Sequence, residues 1–405
     1  MGDEEIHRAH FGRAEESRED EITLCVEVMN LKLGEHDLSG LSWQRRPGQL
    51  SAEPWHVLAR RGLSHRQCGS HAHRTTHMAI PDTYILYGGE LSYFTRKLEV
   101  ALRFYDAPYE FRNKGQNNPQ DIEHRSGTHQ VPVLQTPENW MIGDTTPLMH
   151  MLDERFPKRR MFPQGPLGIA VQVLEEYFDE WIARTMVHYR WHYAESAIYA
   201  SEIMGGGNAE AAARVRSWGP RACRATGTDS ETQQRACEDE YVRILEAMEA
   251  QLAQTPFMLG HRPTAVDCIL LGGLIAHTFN DPDPKRVTAN YPRVVQWCET
   301  GAFEWDGEGE LAPFPELTPF AAFVLEEMQA TYWPYVLGNQ AAQAAGAKAF
   351  HARIYGEEVS YLSRPYPEQS RLMVTHRMRH HLSSDERGAV RGWLDAAGLE
   401  CFLND

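Results

Sequence analysis

The sequence lacks several features that define common functional classes. Its seven cysteines are scattered and include no Cys-x-x-Cys pair, which argues against a disulfide framework or a structural zinc site. No apolar run approaches the roughly 20 residues that span a bilayer, and the first residues lack the regions of a secretory signal. A net charge of −16 offers no basic surface to nucleic acid or acidic membranes. These absences predict a soluble, cytoplasmic protein with reduced thiols and no nucleic-acid or membrane partner.

The length of 405 residues and a hydrophobic fraction of 42% allow two domains with additions. We predict four segments, with the bounds 1–80, 81–160, 165–304 and 305–405. Residues 1–80 show little periodicity and are predicted to be a poorly ordered extension, with Met78 as an alternative start. Cys68 and the histidines near it match no zinc-finger spacing, so we predict no metal site there.

The second segment has the element order β-α-β-α-β-β-α. Its first strand is rich in β-branched and aromatic residues and is broken by two glycines, and proline ends the helix that follows. The first four predicted elements are a strand at 84–87, a helix at 92–105, a strand at 109–112 and a weak helix at 117–124. This order over about 75 residues is typical of one small domain.

The stretch from Gly127 to Pro147 supplies the last two strands and the start of a helix. Pro132 opens one apolar run, and a second short run follows a turn-rich break. Thr145 or Thr146 can serve as the N-cap, and Pro147 suits the first helical position. Asp144 favours the positive end of the helix dipole. The sequence therefore predicts a helix N-terminus that is open to an anion.

The third and fourth segments are predicted to be mainly helical. Thr264 and Asp267 form a capping box before an apolar run, for which we predict a role in folding and not in catalysis. Residues 305–405 add helices and a hairpin around Gly356 and Glu357. Their apolar periodicity indicates that this extension folds onto the body of the protein, where it covers a pocket or replaces a subunit interface.

Four short motifs together resemble the glutathione transferase family of the serine type. They are Ser92-Tyr93-Phe94-Thr95-Arg96-Lys97, Gln130-Val131-Pro132-Val133-Leu134, the Asp144-Thr145 pair and the Thr264-x-x-Asp267 box. The resemblance covers residues 84–300 and implies an α/β plus all-α fold, with a thioredoxin-like N-terminal domain and a helical C-terminal domain. Residues 305–405 resemble extensions of some bacterial members.

The resemblance implies that Ser92 is the catalytic residue. A serine hydroxyl at a helix N-terminus can donate to the glutathione sulfur, and the helix dipole adds a positive field. Tyr93 and Tyr87 are the alternatives, because other classes of the family use a tyrosine near this point. Tyr93 also stands where proline is common in the family.

The same resemblance implies the residues that bind glutathione. The backbone of Val131, ahead of Pro132, would pair with the cysteinyl unit if the peptide bond is cis. Thr145 would hold the γ-glutamyl carboxylate and Asp144 its ammonium, although Glu-Ser is the more usual pair. Gln130, with His129 beside it, is the candidate for the glycyl end.

Aromatic residues from His188 to Glu195 form the other candidate region. His188, His192 and Glu195 share a helical face at a spacing that could hold a metal, but the aromatic neighbours favour packing, so no metal is predicted. Within this stretch we predict that Tyr189 and Trp191 contact a hydrophobic second substrate.

The predicted function is detoxification by attack of the glutathione thiolate on an electrophilic hydrophobic molecule, with glutathione as the co-substrate. The alternative is a non-catalytic binding or assembly protein of the same fold. Thiol-disulfide exchange is disfavoured because Ser92 and Thr95 occupy the positions of both cysteines. The family commonly forms homodimers, so a homodimer is the candidate assembly.

Overall fold

The computed structural model describes residues 82–403. The prediction of a poorly ordered extension at 1–80 lies outside the described residues. None of the described helices is both long and apolar enough to cross a bilayer.

A four-stranded sheet with flanking helices forms the N-terminal part. Strand β1 pairs in parallel with β2 and antiparallel with β3, and β3 pairs antiparallel with β4, which gives the order β2-β1-β3-β4. The elements are β1 Tyr84–Gly88, α1 Tyr93–Tyr105, β2 Tyr109–Asn113, α2 Pro119–Ser126, β3 Val133–Gln135, β4 Met141–Gly143 and α3 Thr145–Arg155. Their order and pairing confirm the predicted thioredoxin-like fold.

The local chemistry of helix α1 explains its length. Ser92 caps the N-terminus, where its side chain accepts from the backbone N–H of Thr95. Asp106 takes a left-handed conformation with φ of 57° and ends the helix. Apolar residues spaced three and four apart, such as Leu98 and Leu102, are buried against the sheet and neighbouring helices.

Helix α3 begins earlier than predicted. Asp144 is the residue before the first turn, Thr145 is the first helical residue, and Pro147 is the third. Neither Thr145 nor Thr146 is therefore the N-cap. The backbone of Asp144 has a φ of 66°, a left-handed value that aspartate adopts more readily than most residues, so the turn is completed one residue sooner.

A helical region follows, as predicted. Its elements are α4 Gly165–Glu176, a π-helical segment Tyr177–Ile182, α5 Ala183–His192, α6 Ala194–Met204, α7 Ala209–Ser217, α8 Gly219–Ala225, α9 Glu231–Leu252, α10 Ala265–Gly273, a π-helical segment Leu274–Thr278, α11 Pro282–Thr288 and α12 Pro292–Glu299. The helical stretch from Pro166 to Tyr199 is interrupted by the first π segment and at Tyr193, whose backbone is extended.

The predicted capping box holds the start of helix α10. The Asp267 carboxylate accepts from the backbone N–H and hydroxyl of Thr264 at 2.8 and 3.0 Å, and from the N–H of Met258 at 2.9 Å. The carboxylate is fully buried, and burial raises its pKa to about 6. All of its interactions are within the scaffold, which agrees with a role in folding.

Residues 305–403 form the region C-terminal to these helices. Its elements are α13 Pro319–Ala330, α14 Tyr332–Ala345, β5 Ala349–Ile354, β6 Glu357–Leu362, α15 Pro365–His381 and α16 Ser384–Ala396. Strands β5 and β6 form the predicted hairpin. The region packs on helix α4, where Arg377 donates to the carbonyl of Gly168 at 3.3 Å and Ser370 hydrogen bonds with Glu176. It therefore folds onto the body of the protein.

Helix α1 is set against helix α10 by a glycine contact. A Cβ atom at Gly272 would lie 2.4 Å from the backbone nitrogen of Lys97. Real Cβ atoms do not approach backbone so closely, and neither helix backbone can yield as a flexible side chain would. Gly272 thus fixes the distance between the helix that carries Ser92 and the helical region.

We expect Gly272→Ala to lower the free energy of unfolding by about 1–3 kcal/mol, because the added methyl group forces the two helices apart. Gly388→Ala is the matched control, since Gly388 is also inside a helix but its Cβ would meet nothing within 4 Å. It should instead stabilise by up to about 1 kcal/mol through helix propensity. Urea unfolding followed by circular dichroism measures both, and equal effects would contradict the packing argument.

Candidate functional site

One cavity of about 190 Å³ collects residues from the sheet region, the helical region and the C-terminal region. Six predicted site residues line it: Ser92, Gln130, Val131, Pro132, Asp144 and Thr145. They come from three separate turns of the N-terminal part: the start of helix α1, the loop before strand β3, and the turn between strand β4 and helix α3. The sheet order brings these turns together, because β1 and β3 are neighbours and helices α1 and α3 start from the same side.

Ser92 lies at the N-terminus of helix α1 with 7% of its surface exposed. Its oxygen accepts from the Thr95 N–H at 3.3 Å. This capping bond uses a lone pair and leaves the hydroxyl hydrogen able to donate. Helix α1 carries no acidic residue in its first turn, so its positive end is not neutralised locally. Ser92 can therefore stabilise an anion in the cavity.

The loop before Pro132 is held by a lysine that the sequence analysis missed. The Val131-Pro132 peptide bond is cis. The ammonium group of Lys114 donates to the carbonyls of His129 and Gln130 at 2.6 and 2.9 Å. Lys114 is almost completely buried, so these bonds fix the shape of the loop that presents Val131. No sequence pattern distinguishes this lysine from a surface one.

Asp144 and Thr145 lie at the mouth of helix α3. Thr145 is buried, and Asp144 stays accessible to solvent within the cavity. Desolvation by the surrounding protein, followed by the charge of Asp179, raises the pKa of Asp144. Both effects disfavour the charged carboxylate, so a cation beside Asp144 would relieve them.

A buried ion-pair network lies behind this turn. The ammonium group of Lys97 is fully buried, pairs with Glu175, lies 2.7 Å from Asp179 and donates to the Thr146 hydroxyl at 3.0 Å. Burial alone would lower the pKa of Lys97, but the charges of Asp179 and Glu175 raise it overall. Lys97 therefore ties helix α1 to helix α3 and to the helical region as a cation.

Tyr93, the predicted alternative to Ser92, does not line the cavity. Its ring packs against Gly273 and His277, and its hydroxyl donates to the Phe178 carbonyl at 3.0 Å. Burial, then the charges of Asp179 and Glu175, raises the pKa of this phenol well above its usual value. Tyr87, the other alternative, hydrogen bonds with Gln135 at 3.1 Å and also lies outside the cavity lining.

Tyr189 and Trp191, predicted to contact the second substrate, are not brought to the cavity. The Tyr189 ring lies 5.2 Å from that of Tyr241 in the interior of the helical region. Trp191 packs on Gly219, where a Cβ atom would lie 3.1 Å from the tryptophan Cβ. The face of helix α5 that reaches the cavity carries Ala183, Arg184 and Val187 instead. Tyr189 and Trp191 are not on that face.

The remaining wall of the cavity was also missed by the sequence analysis. It is rich in aromatic side chains, with two charged groups, and combines the π-helical segment with the C-terminal region: Trp181, Glu180, Tyr335, Tyr361, Leu362, Arg364 and Tyr366. The rings of Trp181, Tyr335 and Tyr361 are 5.2–6.2 Å apart. The only sequence signal for this wall was the predicted folding of the extension onto the body, which does not say which residues face inward.

The candidate metal ligands do not converge. His188 lies 2.9 Å from Glu238, whereas Glu195 pairs with Arg286 on the surface. Within residues 82–403, no group of three or more histidine, cysteine, aspartate or glutamate side chains is placed to hold a metal ion. The groups that line the cavity are the hydroxyl, backbone and charged groups described above.

Two domain models of known proteins match parts of the chain. Residues 86–160 match the glutathione S-transferase N-terminal domain, and residues 241–300 match the C-terminal domain. Comparison with curated proteins finds no match.

Solved glutathione S-transferases resemble the chain at low identity. The enzyme from Methylobacillus flagellatus KT with glutathione bound is 15% identical and covers 55% of this chain and 97% of its own, with a TM-score of 0.37. That from Rhodospirillum rubrum F11 is 17% identical and covers 60% of this chain and 99% of its own, with a TM-score of 0.38. Rice GST1 in complex with glutathione is 18% identical and covers 60% and 96%, with a TM-score of 0.36. These values assign no reaction to the chain.

The two domain models match the chain in the order in which their names place them. The first matched region contains the last part of strand β1, strands β2 to β4 and helices α1 to α3, and the second contains the C-terminal half of helix α9 and helices α10 to α12. The chain therefore carries two segments that match the N-terminal and C-terminal domains of glutathione S-transferases.

Proposed function

We propose that this protein is a glutathione transferase whose bound thiolate attacks an electrophilic hydrophobic molecule. One observation carries the proposal: a single cavity contains Ser92 at one helix N-terminus, the backbone of Val131 before Pro132, and Asp144-Thr145 at a second helix N-terminus. These are the three kinds of contact that one tripeptide requires.

The residues fit the chemistry of the tripeptide. Thr145 at the start of helix α3 suits the γ-glutamyl carboxylate, because free backbone amides and the helix dipole favour an anion there. Asp144 suits the neighbouring ammonium. Val131 offers its backbone to the cysteinyl unit, and Gln130 offers an amide side chain to the glycyl end.

Ser92 supplies the step that activates the nucleophile. A free thiol has a pKa near 8.5, so only a few per cent is thiolate at neutral pH. A hydrogen bond donated by the Ser92 hydroxyl, together with the dipole of helix α1, stabilises the thiolate and lowers that pKa. The thiol proton leaves to solvent, the sulfur forms the new bond to carbon, and a leaving group departs with its electron pair.

The aromatic wall supports a hydrophobic second substrate. The rings of Trp181, Tyr335 and Tyr361 lie on the same cavity as Ser92. Removing electrophiles of this kind is a detoxification reaction. The cytoplasm suits it, because the cysteines described in residues 82–403 are free and buried, as expected of a reducing compartment. The homodimer remains a prediction.

Glutathione titration with an Asp144→Asn variant tests the tripeptide site. We expect the variant to raise the Kd for glutathione about 10- to 100-fold, because a charge-assisted hydrogen bond to the ammonium becomes a neutral one. Isothermal titration calorimetry measures the affinity directly and does not depend on the second substrate.

Asp106→Asn is the matched control for this measurement. Asp106 also flanks a helix and has a positive φ, of 57° against 66° for Asp144, but it does not line the cavity. Asparagine tolerates this backbone conformation, so the control should bind glutathione like the wild type. A wild type that fails to bind glutathione at millimolar concentration would overturn the proposed function.

A further inference from the structure

Arg364 is the cationic side chain that the C-terminal region contributes to the cavity. Two hydrogen bonds from the buried Asn339 side chain fix its backbone. The amide oxygen of Asn339 accepts from the Arg364 N–H at 2.9 Å, and the amide nitrogen donates to the Arg364 carbonyl at 2.9 Å. The side chain nevertheless keeps 41% of its surface exposed. The position of this guanidinium is thus determined by the fold, and it remains accessible to a ligand.

Within residues 82–403, the guanidinium makes its hydrogen bonds through one nitrogen. Nη2 donates to the Tyr335 hydroxyl at 2.8 Å and to Glu180 at 3.4 Å. Among residues 82–403, no side chain or carbonyl accepts a hydrogen bond from Nε or Nη1 of Arg364. Donors remain available on one edge of the planar group, and this geometry suits a carboxylate.

The acidic side chain next to Arg364 is Glu180, whose carboxylate lies at the long distance of 3.4 Å from the guanidinium. Burial raises the pKa of Glu180 and so disfavours its charged form, against an opposing effect of Arg364 itself. Asp179 is paired with Lys97. The other cation in the lining, Arg184, is paired with the buried Glu240 at 3.2 Å. A positive charge with free donors therefore faces the cavity.

Aromatic surface surrounds this charge. Tyr335, which holds Nη2, also packs against Trp181 with ring centroids 5.5 Å apart. Tyr366, two residues after Arg364, lines the cavity and is partly exposed. We propose, on the basis of the proposed transferase function, that the second substrate is an aromatic electrophile that carries a carboxylate, and that Arg364 binds this carboxylate.

The test compares two probes that differ in one charge, 4-chloro-3-nitrobenzoate and 4-chloro-3-nitrobenzamide. Binding is measured by calorimetry on the full chain in the presence of saturating S-methylglutathione, which cannot react because its sulfur is methylated. The wild type should bind the benzoate at least about tenfold more tightly than the amide, and Arg364→Gln should remove this preference. The Kd of S-methylglutathione should be unchanged in the variant.

Two further variants sharpen the outcome. Arg364→Lys keeps the charge but loses the planar pair of donors, so part of the preference should remain. Arg353→Gln is the control, since Arg353 is an exposed arginine on strand β5 of the same C-terminal region and does not line the cavity.

Three outcomes overturn the inference. They are a wild type that binds both probes equally, a preference that survives Arg364→Gln, and a loss of S-methylglutathione binding in Arg364→Gln. The last would show that Arg364 serves the tripeptide's own carboxylates. A wild type that does not bind S-methylglutathione overturns the proposed function itself, and this result is distinct from the first three.

Discussion

Replacing Ser92 with alanine should lower kcat/KM for glutathione conjugation about 10- to 100-fold near neutral pH. The hydroxyl hydrogen of Ser92 is not used in capping helix α1, so in the proposed reaction it donates to the thiolate. Losing a hydrogen bond to a charged group costs about 1.5–3 kcal/mol, and this cost falls on the ionised form of the thiol. Stopped-flow or steady-state assays with a chloronitrobenzene electrophile measure the change.

The pH dependence separates this role from a structural one. Removing the donor raises the pKa of the bound thiol toward its free value of about 8.5. Below the wild-type thiol pKa, the rate loss should therefore be largest. As pH rises through the pKa of the variant, both proteins carry a full thiolate and the loss should shrink. Ser92→Thr keeps a hydroxyl and should recover part of the rate.

Ser383→Ala is the matched control for the Ser92 variant. Ser383 also caps a helix, with its oxygen accepting from the Glu386 N–H at 3.4 Å, and its loss should cost about 1 kcal/mol of stability. It should leave the pH profile of conjugation unchanged. If Ser92→Ala behaves like Ser383→Ala, Ser92 is only a cap. Wild-type binding of glutathione without turnover would instead favour the non-catalytic alternative.

Lys97→Met should lower the free energy of unfolding by about 3–5 kcal/mol. Lys97 is fully buried and holds Glu175 and Asp179, and removing one partner leaves buried carboxylates without a compensating charge. The pKa of Glu175 is already raised by burial, and loss of the lysine would raise it further. The defect should therefore be larger at pH 8 than at pH 5, where the Glu175 carboxylate can take up a proton.

Two comparisons test this interpretation by urea unfolding. Lys158→Met removes an exposed lysine and should change stability by less than about 0.5 kcal/mol. The double variant Lys97→Met with Glu175→Gln should lose less free energy of unfolding than the sum of the losses in the two single variants, because each substitution removes the partner of the other. Strict additivity would contradict a direct interaction.

The sequence predicts the fold where the local chemistry of a few residues determines their conformation. The strand with two following glycines, the proline at 132 and the Thr264-Asp267 capping box each impose one conformation on a few residues, and the structure agrees with all three. The start of helix α3 was missed because it depends on a positive φ at Asp144. That conformation is one of several that an aspartate before two threonines can adopt.

The sequence predicts only those site residues that belong to short motifs. Ser92, Val131 and Asp144 stand in recognisable local patterns. Lys97 and Asp179, by contrast, are 82 residues apart, and only tertiary packing shows that they meet. Tyr189 and Trp191 lie away from the cavity for a related reason. Aromatic content predicts that a helix is buried, but the face toward the cavity depends on how the π-helical segment and helix α5 are rotated against their neighbours.

The two sides of the cavity come from different parts of the chain, one inside and one outside the regions that match the domain models. The residues proposed to hold the tripeptide lie within the matched region 86–160. Tyr335, Arg364 and Tyr366 lie after residue 300, beyond both matched regions. In the proposed reaction, substitutions on that later side should alter which electrophile is accepted without disturbing the nucleophile. The two halves of the proposed chemistry are thus separable by mutation.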